Sequence, residues 1–95
     1  MGGKCVEIYQ LRQFAAVAKT ENMTRAAQSL SMAQPAVSKT IRNLESELGA
    51  ELFERTGKGL RRTEQGDILL RYARAILNAE LDARREIEES LHRAG

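Results

Sequence analysis

The stretch Met23-Thr24-Arg25-Ala26-Ala27-Gln28-Ser29-Leu30-Ser31-Met32-Ala33-Gln34-Pro35-Ala36-Val37-Ser38-Lys39-Thr40-Ile41-Arg42 decides the fold. Val37, Ile41, Leu44 and Leu48 fall on one stripe of a helix. At about 100° per residue, Pro35, Lys39, Arg42 and Ser46 lie opposite, with Ser38 beside them. One face is core and the other polar. Pro35 fixes where this helix starts. A capping box from Ser31 to Gln34 would put Pro35 at the fifth position, where its ring meets the Ser31 carbonyl. The helix therefore begins near Ala33, with Pro35 in the first turn, where a missing N–H has no intrahelical partner to lose. Gly49 can take the left-handed conformation that ends it, giving a helix over about 33–48. Ser31-Met32-Ala33 then reads as a three-residue turn from a shorter helix, in which Ala26 and Ala27 permit close approach to a neighbour. Asn22 or Thr24 can cap that shorter helix. Thr24 is preferred, with the helix running to about Leu30.

Upstream, Ile8, Leu11, Phe14, Ala15 and Ala18 repeat at helical steps and predict a first helix over about 7–19. Downstream, Leu52-Phe53-Glu54-Arg55 and Leu60-Arg61-Arg62 flank Thr56-Gly57-Lys58-Gly59, which predicts a small basic hairpin over about 52–62. Thr63 can cap a fourth helix, whose first turn holds Glu64 and Asp67, acids suited to the positive end of the helix dipole. No Gly or Pro interrupts residues 67–94. A helix from residue 64 to about 92 would be roughly 44 Å long at 1.5 Å per residue. That is too long to be covered by a domain of the remaining residues. Leu69, Tyr72, Ile76, Ala79, Ala83, Ile87 and Leu91 form its apolar stripe. The division is 1–63 for a compact unit and 64–95 for the long helix.

The chain has 95 residues, 42% hydrophobic and 29% charged, which suits one folded domain rather than a disordered tail. Its longest uncharged stretch, residues 26–38, is 13 residues long and contains Pro35, too short for a membrane span. The first six residues show neither an apolar signal core nor the Ser or Thr that myristoylation requires, so the expectation is cytoplasmic. One cysteine, Cys5, and one histidine, His92, exclude an internal disulfide and a thiolate metal cluster, and supply no catalytic set. The expectation is a protein without enzyme activity, cofactor or metal. Charge is uneven: residues 1–62 hold 10 basic and 6 acidic side chains, residues 63–95 hold 5 and 7. Arg55, Lys58, Arg61 and Arg62 form an acid-free cluster that attracts a polyanion.

Three short helices, two joined by a tight turn, then a basic hairpin are the parts of a mainly α, winged helix-turn-helix unit. Such a unit can set its third helix in the major groove and its wing against the backbone or minor groove. A protein-interaction module on the same scaffold is the alternative, since a fold does not dictate its partner. It would favour exposed aromatics on the third helix, where this chain has Pro35, Ser38, Lys39 and Arg42.

The strings Met23-Thr24-Arg25-Ala26-Ala27, Ala33-Gln34-Pro35-Ala36-Val37-Ser38-Lys39, Leu44-Glu45, Leu48-Gly49, Leu52-Phe53-Glu54-Arg55 and Thr63-Glu64-Gln65-Gly66 resemble the N-terminal signature of the LysR-type bacterial transcriptional regulators. The resemblance implies a sequence-specific DNA-binding domain for double-stranded DNA. It also implies a linker helix that pairs two subunits into a homodimer on an interrupted palindrome, the stripe from Leu69 to Ile87 forming the interface. A larger effector-binding domain, seat of any effector ligand, would follow and is absent from these 95 residues. By the same resemblance Gln34 and Pro35 reach base edges, Ser38 and Lys39 contact bases or phosphate, Thr24 and Arg42 contact backbone, and Arg55 with Arg61 or Arg62 makes the wing contacts. A Gln amide can pair with adenine, and a Pro ring offers an apolar surface to a thymine methyl. Ala33 stands where the family commonly has Ser or Thr, so a side-chain cap is missing.

Overall fold

A computed structural model describes residues 5–94. Residues 1–4 and 95 lie outside the described residues, and so do the N-terminal reading against a signal or acyl anchor and the outer ends of the 1–63 and 64–95 division. The elements are α1 (Ile8–Thr20), α2 (Met23–Leu30), α3 (Gln34–Leu48), β1 (Phe53–Thr56), β2 (Gly59–Arg62) and α4 (Glu64–Ala94). This is a winged helix-turn-helix followed by a long helix.

In α1 the three- and four-residue spacing turns Leu11, Phe14, Val17 and Ala18 inward. Ile8 stays partly exposed at the open end. From α3, Val37, Ile41 and Leu44 complete the layer, and Ala26 and Ala27 of α2 fill the space between, small enough to let three helices meet. Phe14 packs on Phe53 with ring centroids 5.4 Å apart, which ties the start of the hairpin to the helical core. Ala33 stands at the N-cap of α3 with no side-chain hydrogen bond, and Gly49 ends the helix at φ +67°. The hairpin pairs Phe53 with Arg62, Glu54 with Arg61, Arg55 with Leu60 and Thr56 with Gly59, leaving Gly57 and Lys58 as its tip.

Two expectations change. The cap of α2 is Asn22, not Thr24. Glu21 closes α1 in the left-handed region at φ +53°, and this delivers Asn22 in an extended conformation with its Oδ1 accepting the Arg25 N–H at 2.9 Å. Thr24 thus lies inside the first turn, exposed. The second change concerns α4, which carries two apolar stripes rather than one. Leu70 and Ala73 are buried against the core, and Leu69 is half-buried against it. Tyr72, Ile76, Ala79, Ala83, Ile87 and Leu91 form the neighbouring stripe and are exposed. Arg12 on α1 meets Glu80 at 3.8 Å, near the limit of what the domain reaches along α4. At 31 residues α4 is about 46 Å long. The radius of gyration of 15.6 Å exceeds the roughly 12 Å of a compact chain of this length, because the far half of α4 projects alone.

Asn22→Ala removes an acceptor from the α2 N-terminus and is expected to cost about 1 kcal/mol. Thr24→Ala, which removes no such acceptor, is expected to change stability by less than half of that. Thermal melts of the two variants check the order.

Candidate nucleic-acid interface

The first turn of α3 stands clear of the core because its helix axis is held from the far side by Val37, Ile41 and Leu44. Pro35 is exposed there, and Lys39 and Arg42 follow on the same outward face, with no ion pair among the described residues. Gln34 does not point freely into solvent. Its Nε2 donates to Ser38 Oγ at 2.8 Å, one turn on, so two residues read separately from the sequence form one unit.

The wing lies beside this face. Opposed residues of an antiparallel pair share a side of the sheet, so Phe53, Arg55, Leu60 and Arg62 look one way and Glu54 and Arg61 the other. Arg55 faces α3. Together with Ser38, Arg42, Met23 and Leu60 it lines a cleft of about 240 Å³. A second cleft of about 400 Å³, on the other flank of Leu60, is lined by Asn22, Arg25, Lys58 and Arg61. Arg25 and Lys58 were not singled out from the sequence as contacts. Lys58 belonged to the basic cluster, and the signal for Arg25 was its place in the first turn of a helix that opens toward the wing.

The three wing arginines have different surroundings. Arg55 is exposed and forms no ion pair among the described residues. Arg61 is exposed but bridges to Glu54 Oε1 at 2.7 Å, which offsets its charge. Arg62 is turned inward. Its Nη1 donates to the Ala18 carbonyl at 2.8 Å, its Nε donates to Asp67 Oδ1 at 2.7 Å, and Glu21 lies 3.9 Å away. Arg62 is therefore a tie between β2, the end of α1 and the start of α4, and leaves the set of free wing cations. A second tie runs alongside, from the Leu60 N–H to the Glu21 carbonyl at 3.4 Å.

Among the described residues no group of three His, Cys, Asp or Glu side chains could hold a metal, and no helix is long and apolar enough to cross a membrane.

Residues 8–67 match the family model described as bacterial regulatory helix-turn-helix protein, lysR family. The chain belongs to the LysR family. Among curated relatives it is 48% identical over 86 residues to the RuBisCO operon transcriptional regulator of Allochromatium vinosum, covering 90% of this chain and 28% of that protein. It is 40% identical over 90 residues to the HTH-type transcriptional regulator PcaQ of Agrobacterium fabrum, covering 95% and 29%. This LysR-family chain thus spans under a third of the length of the curated relatives it matches. Among solved structures it resembles the BenM DBD in complex with catB site 1 DNA, with TM-score 0.80, 35% identity and coverage of 90% and 96%. It likewise resembles the CbnR DBD in a DNA complex, with TM-score 0.79, 37% identity and coverage of 95% and 100%.

Because Arg62 binds a backbone carbonyl and a carboxylate from a half-exposed position, Arg62→Ala is expected to lower stability by roughly 1–2 kcal/mol. The melting midpoint should fall by about 5–10 °C, measured by circular dichroism. A variant that melts with the wild type would show that the tie carries no net stability.

Proposed function

We propose that this chain is the sequence-specific DNA-binding domain of a bacterial transcriptional regulator. Helix α3 enters the major groove by its first turn, and the wing lies along the backbone or minor groove. The observation that carries this reading is the basic face on which Pro35, Lys39 and Arg42 of α3 stand beside Arg55 of the wing, where the one carboxylate in the cleft, Glu45, is engaged by the Leu52 N–H. Relatives of the same fold, solved with DNA, support it.

Within that reading the roles divide by chemistry. The Gln34 amide pairs with a base edge and the Pro35 ring packs on a thymine methyl. Lys39, Arg42 and Arg55 neutralise phosphates, joined by Lys58 and Arg25 on the other flank of the wing, while Thr24 and the paired Arg61 make lesser backbone contacts. The exposed stripe of α4, with Tyr72 60%, Ile87 61% and Leu91 69% accessible, pairs antiparallel with a second copy. The two-fold dimer then presents two recognition helices to an interrupted palindrome, with half-sites a whole number of helical turns apart. Effector binding belongs to the larger domain that the curated relatives have room for beyond this length.

Gln34→Ala is expected to cost about 1–3 kcal/mol on the specific duplex and much less on random sequence. Arg55→Ala should weaken both duplexes alike and flatten the slope of log affinity against log salt by about one. Titrations on cognate and scrambled duplexes at several salt concentrations separate the two. Equal losses on both duplexes for Gln34→Ala would move the base contact to another residue.

The α4 pairing predicts a dimer by sedimentation at micromolar concentration, shifted toward monomer by Ile76→Asp. A strict monomer, unaltered by that substitution, would remove the palindrome from the proposal.

A further inference from the structure

We propose that Ser38 is a positioning residue for base recognition: by holding the Gln34 amide with its carbonyl free, it strengthens the preference of Gln34 for adenine over guanine. The inference rests on the DNA-binding reading above and concerns which base that reading selects.

Gln34 and Ser38 are four residues apart on α3, and the amide Nε2 donates to the Ser38 hydroxyl oxygen at 2.8 Å in a part-buried position. An untethered glutamine on a helix surface samples many rotamers, and fixing it on DNA costs side-chain entropy. Here the hydrogen bond fixes the amide before DNA arrives. The bond also selects what the amide shows. An amide has two N–H donors and a carbonyl acceptor. One N–H is engaged by Ser38, which leaves one donor beside one acceptor. Adenine presents the complement in the major groove, an N7 acceptor beside an N6 donor, whereas guanine presents two acceptors, N7 and O6. Against guanine the Gln34 carbonyl would face a lone pair, and turning the amide over would require exchanging its donation to Ser38 for acceptance of the hydroxyl's own O–H. Ser38 also borders the cleft shared with Arg42 and Arg55, so the tethered amide stands next to the cations that would hold the backbone in register.

The test uses the 95-residue chain and a duplex selected by it from a randomised pool. At each adenine of that duplex, affinity is compared with guanine and with 7-deazaadenine, which lacks the N7 acceptor. At one position the wild type should prefer adenine roughly 5- to 150-fold, and Gln34→Ala should erase that preference. Ser38→Ala should reduce the same ratio roughly five-fold and should do nothing further in the Gln34→Ala background. Ser38→Thr, which keeps a hydroxyl, should retain the preference, a rescue that a loss of general helix packing would not show. Three results overturn the inference while leaving DNA binding intact: a Ser38→Ala ratio equal to that of the wild type, an equal effect of Ser38→Ala in both backgrounds, or a preference for guanine at the position that Gln34 reads. A Gln34→Ala variant that loses discrimination at no position would instead overturn the base-reading assignment on which the inference stands.

Discussion

The contact between the first turn of α4 and the carbonyl of Leu52 governs how the long helix is joined to the rest of the molecule. A Cβ at position 66 would lie 2.1 Å from the Leu52 oxygen, a separation that atoms do not adopt, so only glycine lets the helix come this close. Around that contact the polar groups are matched. The Thr63 N–H donates to the Leu52 carbonyl at 3.0 Å, the Thr63 hydroxyl donates to the Glu51 carbonyl at 2.6 Å, and the same hydroxyl accepts the Gly66 N–H at 3.0 Å. One threonine thus caps α4 and pins it to the chain entering β1. Arg62, immediately before it, binds Ala18 and Asp67 and locks the other side. The direction in which α4 leaves the domain and the place of the wing root follow from these few bonds.

What the sequence made legible was local and periodic. The start of α3 could be read because Pro35 forbids all but the first turn, and its end because Gly49 can adopt positive φ. The apolar stripe of α3 needed only helical spacing as far as Leu44, whereas Leu48, expected on the same stripe, stays 45% exposed at the helix end. Residues whose role depends on a distant partner were not legible. Arg62 looked like a member of a basic cluster, since nothing in the string Leu60-Arg61-Arg62 says which side of the hairpin faces a helix end 44 residues away in sequence. The α2 cap was ambiguous for a related reason: the choice of Asn22 over Thr24 is made by the left-handed turn at Glu21, a conformation unusual for a residue with a side chain. On α4 the period was correct but the phase was incomplete, because Leu70 and Ala73 answer to α1 while Tyr72 and Ile76 do not. For the site, the i, i+4 spacing of Gln34 and Ser38 allowed contact without announcing it.

The wing shows how charge is sorted during folding. Of the four basic residues clustered there, Arg61 and Arg62 meet Glu54, Asp67 and Glu21, which act as internal counterions. Arg55 and Lys58, on neighbouring flanks of Leu60, keep their charge for solvent or a polyanion. A count of basic residues therefore overstates the attraction the wing exerts. Pairing half of the cluster also ties the hairpin to α1 and α4, so the backbone that carries the remaining cations is held in place. Fixed cations lose less freedom when they meet phosphates, and this matters more for register than for raw affinity.

The two stripes of α4 connect that local order to assembly. The first stripe, ending near Glu80, makes the near half of the helix part of the domain; the second continues past it to Leu91, exposed among the described residues. In the proposed dimer the helix is therefore both a rigid arm of one domain and the surface that meets the other copy. The angle between arm and recognition helix is set at Gly66 and Arg62, since no flexible residue intervenes between the wing and the helix. The spacing of two recognition helices would then be a property of the folded monomer as much as of the interface. In that dimer a side chain at position 66, forced against the Leu52 carbonyl, would shift α4 relative to the root of the wing and so change the spacing of the half-sites.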